Sequence, residues 1–317
     1  MRVVLVDPSR TVLKFVSRLL AARHHEVRPF VDEREALDYI RSDVQVDALI
    51  TSAELTVMSG IELCWEARLL ATHRRQIYVI MMSSNHDQYR LAEALDGGAD
   101  DFIGKPPVPE ELYARLRAAE RMATMQRELV RLATTDPLTG VLNRRAFFEL
   151  AQEMCSRLLP GAMLSAIMFD IDHFKRINDM YGHDVGDEAI RGVARAAGSE
   201  SAMAGPPIVA RLGGEEFVVL IEGRPVSEAL AVAESLRARM AALRFETASD
   251  SVTLTCSFGV SQWQPGYSID QLIKRADMAL YKAKREGRNC VVAAYGAVNI
   301  VHGDGAGGIT RATERTS

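Results

Sequence analysis

Arg211-Leu212-Gly213-Gly214-Glu215-Glu216-Phe217 sets two glycines between two apolar, β-prone runs, Val209–Arg211 and Phe217–Ile221. The pattern predicts a tight hairpin, with the carboxylates of Glu215 and Glu216 at the turn where the second strand starts. Glycine at such a turn also lets backbone come close to a ligand. Upstream, the apolar run Leu164–Phe169 leads into Phe169-Asp170-Ile171-Asp172-His173-Phe174-Lys175, then Ile177-Asn178-Asp179, Gly182-His183-Asp184 and Gly186-Asp187. A strand ending on a carboxylate offers Asp170 as an oxygen ligand for a hard cation such as Mg²⁺. Lys175 and the backbone amides near it open the next helix, a good place for a phosphate. Asn178 and Asp187 supply an amide and a carboxylate that together match the edge of a guanine. Downstream, Tyr281-Lys282-Ala283-Lys284-Arg285-Glu286-Gly287-Arg288-Asn289 gathers cations where a helix ends in Gly287. Two readings fit that cluster: complementing the helix dipole, or bringing positive charge to a triphosphate.

Around these motifs, Val252–Ser261 and Cys290–Ala294 read as strands, and Gly186–Ala197, Ser227–Leu243 and Ile269–Arg285 as helices. Thr135 to Tyr295 is therefore α+β. Asp172, Asp179 and Asp184 read as solvated surface acids. Asp187 beside Gly186 also suits a helix start, and Arg211 suits a cross-strand pair. No ordinary core calls for acids at strand ends beside Gly-Gly, so Asp170 and Glu215 read as functional.

The first 108 residues follow another pattern. Arg2–Val6, Ala48–Ile50 and Ile77–Met82 are short continuous apolar runs, with helical spacing over Arg10–Ala22, and Glu93–Ala99 ends in a Gly-Gly-Ala sequence that would stop a helix. Alternating strands and helices predict an α/β, doubly wound parallel sheet, whose ligands sit at the carboxyl ends of the strands. Pro109, Glu110 and Glu111 then suit the first turn of a helix over 109–135, with no Gly or Pro to interrupt it before Pro137. Leu112, Leu116, Ala119, Met122, Met125, Leu129 and Leu132 recur along it at three- and four-residue steps, without a clean heptad. The segment reads either as a helix packed on its own domain or as one that pairs with a second copy. Gly296–Ser317 is rich in Gly, Thr, Ser and Arg and reads as a disordered tail.

The chain has 317 residues, 48% of them hydrophobic and 25% charged, which suits two globular domains with ordinary cores. A formal net charge of -4 argues against a nucleic-acid coat, which needs concentrated basic charge. Cys64, Cys155, Cys256 and Cys290 lie far apart, with no metal-type spacing, and suit a reducing compartment. No leader and no long apolar stretch is visible, so the expectation is a cytoplasmic protein with no membrane association.

Gly213-Gly214-Glu215-Glu216-Phe217 resembles the signature of the GGDEF family, the diguanylate cyclases, in its GGEEF form. Thr135-Asp136-Pro137-Leu138-Thr139-Gly140, with Asn143-Arg144-Arg145, resembles the family's opening motif. Phe169–Asp187 resembles its nucleotide segment and Tyr281–Asn289 its closing motif. The resemblance implies a palm-like α+β domain over 136–295. In it two GTP condense to cyclic di-GMP and two pyrophosphates, one GTP being held by each domain of a dimer. Carried over by position, Asp170 and Glu215 would bind Mg²⁺ (or Mn²⁺) through side chains and Ile171 through its carbonyl. Glu215 would be the general base, with Glu216 near a second metal position. Asn178 and Asp187 would read guanine, and His183 would line the pocket. Lys175, Lys284 and Arg288 would meet phosphates, helped by backbone at His173 and Phe174. The family's Arg-x-x-Asp product site falls on Ala204-Gly205-Pro206-Pro207, which has neither charge, so no strong product inhibition is expected there.

Residues 1–118 resemble a response-regulator receiver domain, a flavodoxin-like fold. Asp7 ends the first strand, but Pro8 stands where a second acid is usual. Ser52 occupies the phosphoacceptor Asp position, while Ser83 and Lys105-Pro106 match the remaining switch residues. A serine with no base to activate it does not replace a nucleophilic carboxylate. Glu54 is two residues on, and its place in the loop argues against its carboxylate serving. The implied protein is a cyclase in second-messenger signalling, with a degenerate receiver (1–118) and a linker helix (109–135) that bring two cyclase domains together. It would be regulated by dimerisation or a docked protein regulator. The competing reading is a catalytically silent GTP-binding scaffold.

Overall fold

The three apolar runs of the N-terminal segment lie in β1 (Arg2–Val6), β3 (Ala48–Ser52) and β4 (Tyr78–Ser83); two edge strands that the apolar pattern does not mark, β2 (Glu26–Phe30) and β5 (Asp101–Gly104), complete a parallel sheet in the order β2-β1-β3-β4-β5. Between them run α1 (Arg10–Ala21), α2 (Glu33–Ser42), α3 (Gly60–Leu69) and α4 (Gln88–Asp96), and α5 (Pro109–Thr134) follows. Continuous apolar strands are needed because both faces are covered. Val3, Leu5, Ile50 and Ile80 pack with Leu13 and Val16 of α1 and Leu112 and Leu116 of α5. Val4, Val6, Leu49 and Val79 pack on the other side with Ile40 of α2 and Leu63 of α3. The strand order reverses between β1 and β3, which puts the ends of those strands, at Asp7 and Ser52, at the crevice where such sheets hold ligands.

This computed structural model describes residues 1–71, 76–84, 88–159, 161–203, 208–246 and 251–294, with backbone alone at 88–91, 200–203 and 246. The chain divides into two compact units, Met1–Ala133 and Thr134–Ser317. The expected tail at 296–317 and the product-site stretch Ala204–Pro207 lie outside the described residues.

The second unit is built on a mixed six-stranded sheet of β6 (Leu142–Asn143), β7 (Leu164–Ile171), β8 (Ile208–Gly213), β9 (Glu216–Glu222), β12 (Cys256–Gln262) and β13 (Val291–Ala293). Their order is β13-β12-β7-β9-β8-β6. A short ribbon, β10 (Phe245–Glu246) with β11 (Ser251–Val252), stands apart from it. Its helices are α6 (Arg144–Arg157), α7 (Phe174–Tyr181), α8 (His183–Met203), α9 (Val226–Ala241) and α10 (Ile269–Arg285). β7 is central and antiparallel to both neighbours, and all eight of its residues are buried. Ala166, Met168, Val218 and Leu220 face Phe147 of α6 and Leu272, Ala276 and Leu280 of α10. Ile167, Phe169 and Val219 face the opposite layer with α7, α8 and α9.

Phe169 carries much of that second core. Its ring stacks on Phe217 with centroids 5.3 Å apart and on Phe258 at 5.1 Å. Phe169→Ala is expected to lower stability by about 3–5 kcal/mol, read from urea unfolding, because the flanking rings cannot close the cavity.

Several boundaries differ from the sequence expectation. The helix expected from Gly186 starts at His183, directly after the positive-φ Gly182, so Asp187 sits a turn inside it and is not a helix-start residue. The single strand expected over Val252–Ser261 is two, because Val252 pairs with Phe245 in the outlying ribbon before Cys256 joins β7. The three-residue steps of α5 mark a change of face. Leu112, Leu116 and Ala119 are buried, whereas Met122, Met125, Leu129 and Leu132 are each more than half exposed.

Candidate active site

β7 carries Asp170 to the end of the sheet. There it lies opposite Glu216 on β9 and Ser257 on β12. Glu215 sits in the turn between β8 and β9, half-buried, while Glu216 is exposed. The turn forms as expected, with Gly214 at φ 52° and a register shift between Arg211 and Gly213. Asp170 is only 6% exposed, and Lys284 from the last turn of α10 places Nζ 2.8 Å from its carboxylate. Burial pushes the Asp170 carboxyl up to about 6; Lys284 opposes that shift, and the charges of Glu215 and Glu216 add to it.

Among the described residues, no three His, Cys, Asp or Glu side chains stand close enough to cage a metal alone. Mg²⁺ does not require that, since it commonly takes one or two carboxylates and keeps waters and substrate phosphates. A buried carboxylate that already holds an ammonium, with two further acids adding negative potential, fits such an ion.

α7 and α8 follow β7 and carry the other residues expected to meet the nucleotide. His173 takes φ 56° and precedes α7 without a side-chain cap, so its side chain does not cap the amides of Phe174 and Lys175, while Arg176 N donates to His173 O at 2.8 Å. Phe174 packs into the core, leaving only its backbone available, whereas His173, Lys175 and His183 are exposed. Asn178 Oδ1 is buried and has no hydrogen-bond partner. A buried acceptor left open is costly and calls for a donor. Gly186 faces it, and a Cβ there would lie 1.9 Å from Asn178 Oδ1. Asp187 is half-buried one position further on.

Two expectations about single residues are corrected. Asp172 is not a solvated acid: it is 5% exposed and accepts hydrogen bonds from Thr255 Oγ1 at 2.7 Å, Ser257 Oγ at 2.6 Å and Asn289 N at 3.0 Å. Those donors come from distant segments, which local spacing does not reveal. Arg211 is not simply a cross-strand partner. Its Nη1 lies 3.0 Å and 3.2 Å from the Asp136 oxygens, and its Nε donates to Gly214 O at 2.7 Å, tying the opening motif to the Gly-Gly turn. Burial pushes the Asp136 carboxyl up, yet donation from Thr139 and Arg211 holds it below the usual range. Asp179 and Asp184 are exposed, as expected.

At the strand ends of the first unit, Lys105 Nζ lies 2.8 Å from Asp7 Oδ2 and donates to Ser52 Oγ at 2.5 Å. Asp7, Ser52 and Ser83 are all buried. Against the sequence expectation, the Glu54 carboxylate enters this cluster. Ser83 Oγ donates to its Oε1 at 2.6 Å, and Lys105 Nζ lies 3.6 Å from its Oε2. The loop folds back because Glu54 N donates to Ser52 Oγ at 3.0 Å while that hydroxyl donates to Glu54 O at 2.7 Å.

Residues 133–290 match the family model of the diguanylate cyclase GGDEF domain, and residues 3–117 that of the response regulator receiver domain. The response regulator PleD of Caulobacter vibrioides is 34% identical over 304 residues, covering 92% of this chain and 65% of that protein. Diguanylate cyclase DgcM of Escherichia coli is 33% identical over 242 residues, 73% of this chain and 57% of that protein. The chain thus spans 65% and 57% of the lengths of these curated relatives. The crystal structure of the coiled coil and GGDEF domain of DgcB from Caulobacter crescentus, in complex with c-di-GMP, is 35% identical with a TM-score of 0.53, over 58% of this chain and 99% of that one. No helix among the described residues is long and apolar enough to cross a membrane. Residues 133–290 thus belong to the GGDEF diguanylate cyclase domain family and residues 3–117 to the response regulator receiver family, the receiver domain preceding the GGDEF domain.

Proposed function

We propose that this protein is a cytoplasmic diguanylate cyclase that condenses two GTP into cyclic di-GMP and two pyrophosphates. The observation that carries the reading is the buried Asp170, set beside the Glu215–Glu216 hairpin and paired with Lys284. Asp170, Glu215 and the Ile171 carbonyl would hold Mg²⁺, with Glu216 near a second position. The ion when bound offsets triphosphate charge and orients in-line attack at the α-phosphorus. The buried oxygen of Asn178 accepts from the guanine edge and Asp187 takes its remaining donors, which fixes the base. Lys175, Lys284, Arg288 and the amides at the start of α7 neutralise and align the phosphates, and His183 borders the ribose and base. Glu215 accepts the proton of the 3′-hydroxyl as that oxygen attacks the α-phosphorus of the other GTP and pyrophosphate leaves. Radiolabelled GTP with Mg²⁺ and no phosphodonor tests this; label appearing in cyclic di-GMP supports it, and unconverted GTP at high protein concentration refutes it.

Each domain holds one GTP, so the reaction needs two copies. Met122, Met125, Leu129 and Leu132 recur at steps of three, four and three on the exposed stretch of α5, the spacing of a two-helix seam. We infer a homodimer through this stretch and the receiver unit. Leu129→Glu is expected to shift the protein to monomer in light scattering and to lower its specific rate at fixed protein concentration.

The same reading makes the receiver insensitive to phosphate. Ser52 is no nucleophilic carboxylate, and Glu54 already engages both Ser83 and Lys105. Acetyl phosphate is expected to leave both the rate and the dimer fraction unchanged, so control falls to dimerisation or to a protein docked on this unit. A rise in either with acetyl phosphate would contradict it.

A further inference from the structure

The turn after α10 is strained. Gly287, Arg288 and Asn289 take φ of 114°, 64° and 45° in succession, and two of the three are not glycine. Such backbone persists only where its surroundings hold it. Arg288 N donates to Ala283 O at 3.1 Å, and Arg237 Nη1 donates to Asn289 Oδ1 at 2.9 Å. A third tie is Asn289 N to Asp172 Oδ2 at 3.0 Å.

Asp172 thereby joins three segments. It follows β7 two residues after Asp170, it accepts from Thr255 and Ser257 at the start of β12, and it grips the turn that carries Arg288. All three donors are neutral, so the carboxylate is satisfied by directional bonds and not by a cation. Those bonds occupy most of its lone pairs, which leaves Asp170 as the acid open to a metal. A buried carboxylate needs a return for its desolvation, and an apolar residue would fill the volume more cheaply.

We propose that Asp172 is a positioning residue for the triphosphate: it holds the Gly287–Asn289 turn so that Arg288 is presented on the same edge as Asp170 and Lys284. The inference rests on the cyclase reading above. Asparagine can substitute, because its Oδ1 can accept from Thr255 and Asn289 while its Nδ2 donates to the Ser257 hydroxyl.

The test uses the full chain, Mg²⁺ and a GTP analogue with a methylene between the α- and β-phosphorus, with affinity read by calorimetry. Asp172→Ala is expected to weaken binding about 10-fold or more, and Asp172→Asn to restore it to within about 3-fold. In the Arg288→Ala background, Asp172→Ala should add less than about 2-fold, because it acts through a contact already lost. The Thr255→Val, Ser257→Ala pair removes two donors without emptying the site, and is expected to weaken binding about 3-fold or more. Unchanged affinity in that pair overturns the proposal even if Asp172→Ala fails to fold. Additive losses with Arg288→Ala, or no rescue by asparagine, overturn it as well. Wild-type protein that binds no analogue defeats the cyclase reading itself, whereas wild-type binding with unaffected variants defeats this inference alone.

Discussion

Glu215→Ala is expected to lower cyclic di-GMP formation at least about 10³-fold with little change in stability, since metal-held charge compensation supplies several kcal/mol of the barrier reduction. The contrast between activity and stability follows from placement. Glu215 occupies the turn between β8 and β9 and belongs to neither buried cluster of the second unit. Asp170→Ala is expected to match the loss of rate and, unlike Glu215→Ala, to raise stability near neutral pH, because burial lifts the Asp170 carboxyl to about 6 even with Lys284 2.8 Å away, and Lys284 keeps access to water. Initial rates by chromatography and midpoints by thermal unfolding separate the two variants. A Glu215→Ala protein with near wild-type turnover would remove the hairpin acids from the mechanism.

Gly186→Ala is expected to raise the half-saturating GTP concentration at least about 10²-fold, because a site built to hydrogen-bond its substrate loses heavily when that bond is broken. The added Cβ would lie 1.9 Å from Asn178 Oδ1 and 3.2 Å from Phe174 Cζ. Asn178 is a short side chain that can swing aside, so the unfolding midpoint should move little while the base contact is lost. Asn178→Ala should reproduce the effect on GTP without the steric component. If Gly186→Ala left GTP affinity unchanged, the open oxygen of Asn178 would not be the guanine contact.

Much of this was legible in the sequence, for local reasons. A strand ending in Asp170, a Gly-Gly turn carrying two acids and a helix closing on Lys284 each announce themselves within a few residues, because strand, turn and cap chemistry are short-range. The buried apolar runs of the first unit likewise announce a parallel sheet covered on both faces. What stayed hidden depends on contacts far apart in the chain. Asp172 looks like any exposed acid until Thr255, Ser257 and Asn289 are brought to it. Arg211 meets Asp136 across 75 positions, and no spacing rule links them. Glu54 lay just beyond β3, where strand periodicity ceases to say which way a side chain turns. The loop fold fixed by Ser52 brings its carboxylate onto Ser83. The change of face along α5 left a hint in the sequence, the run of three-residue steps, but only burial shows which residues belong to which side.

The stoichiometry of the reaction separates a cyclase from a nucleotide-binding scaffold. Purified protein, GTP and Mg²⁺ are combined without any phosphodonor, and cyclic di-GMP and pyrophosphate are quantified together, with Glu215→Ala alongside. Two pyrophosphates for each cyclic di-GMP are expected from the wild type, and neither product from the variant. GTP bound but never converted at any protein concentration would contradict the cyclase reading, and would leave the intact-looking site as that of a nucleotide-binding scaffold.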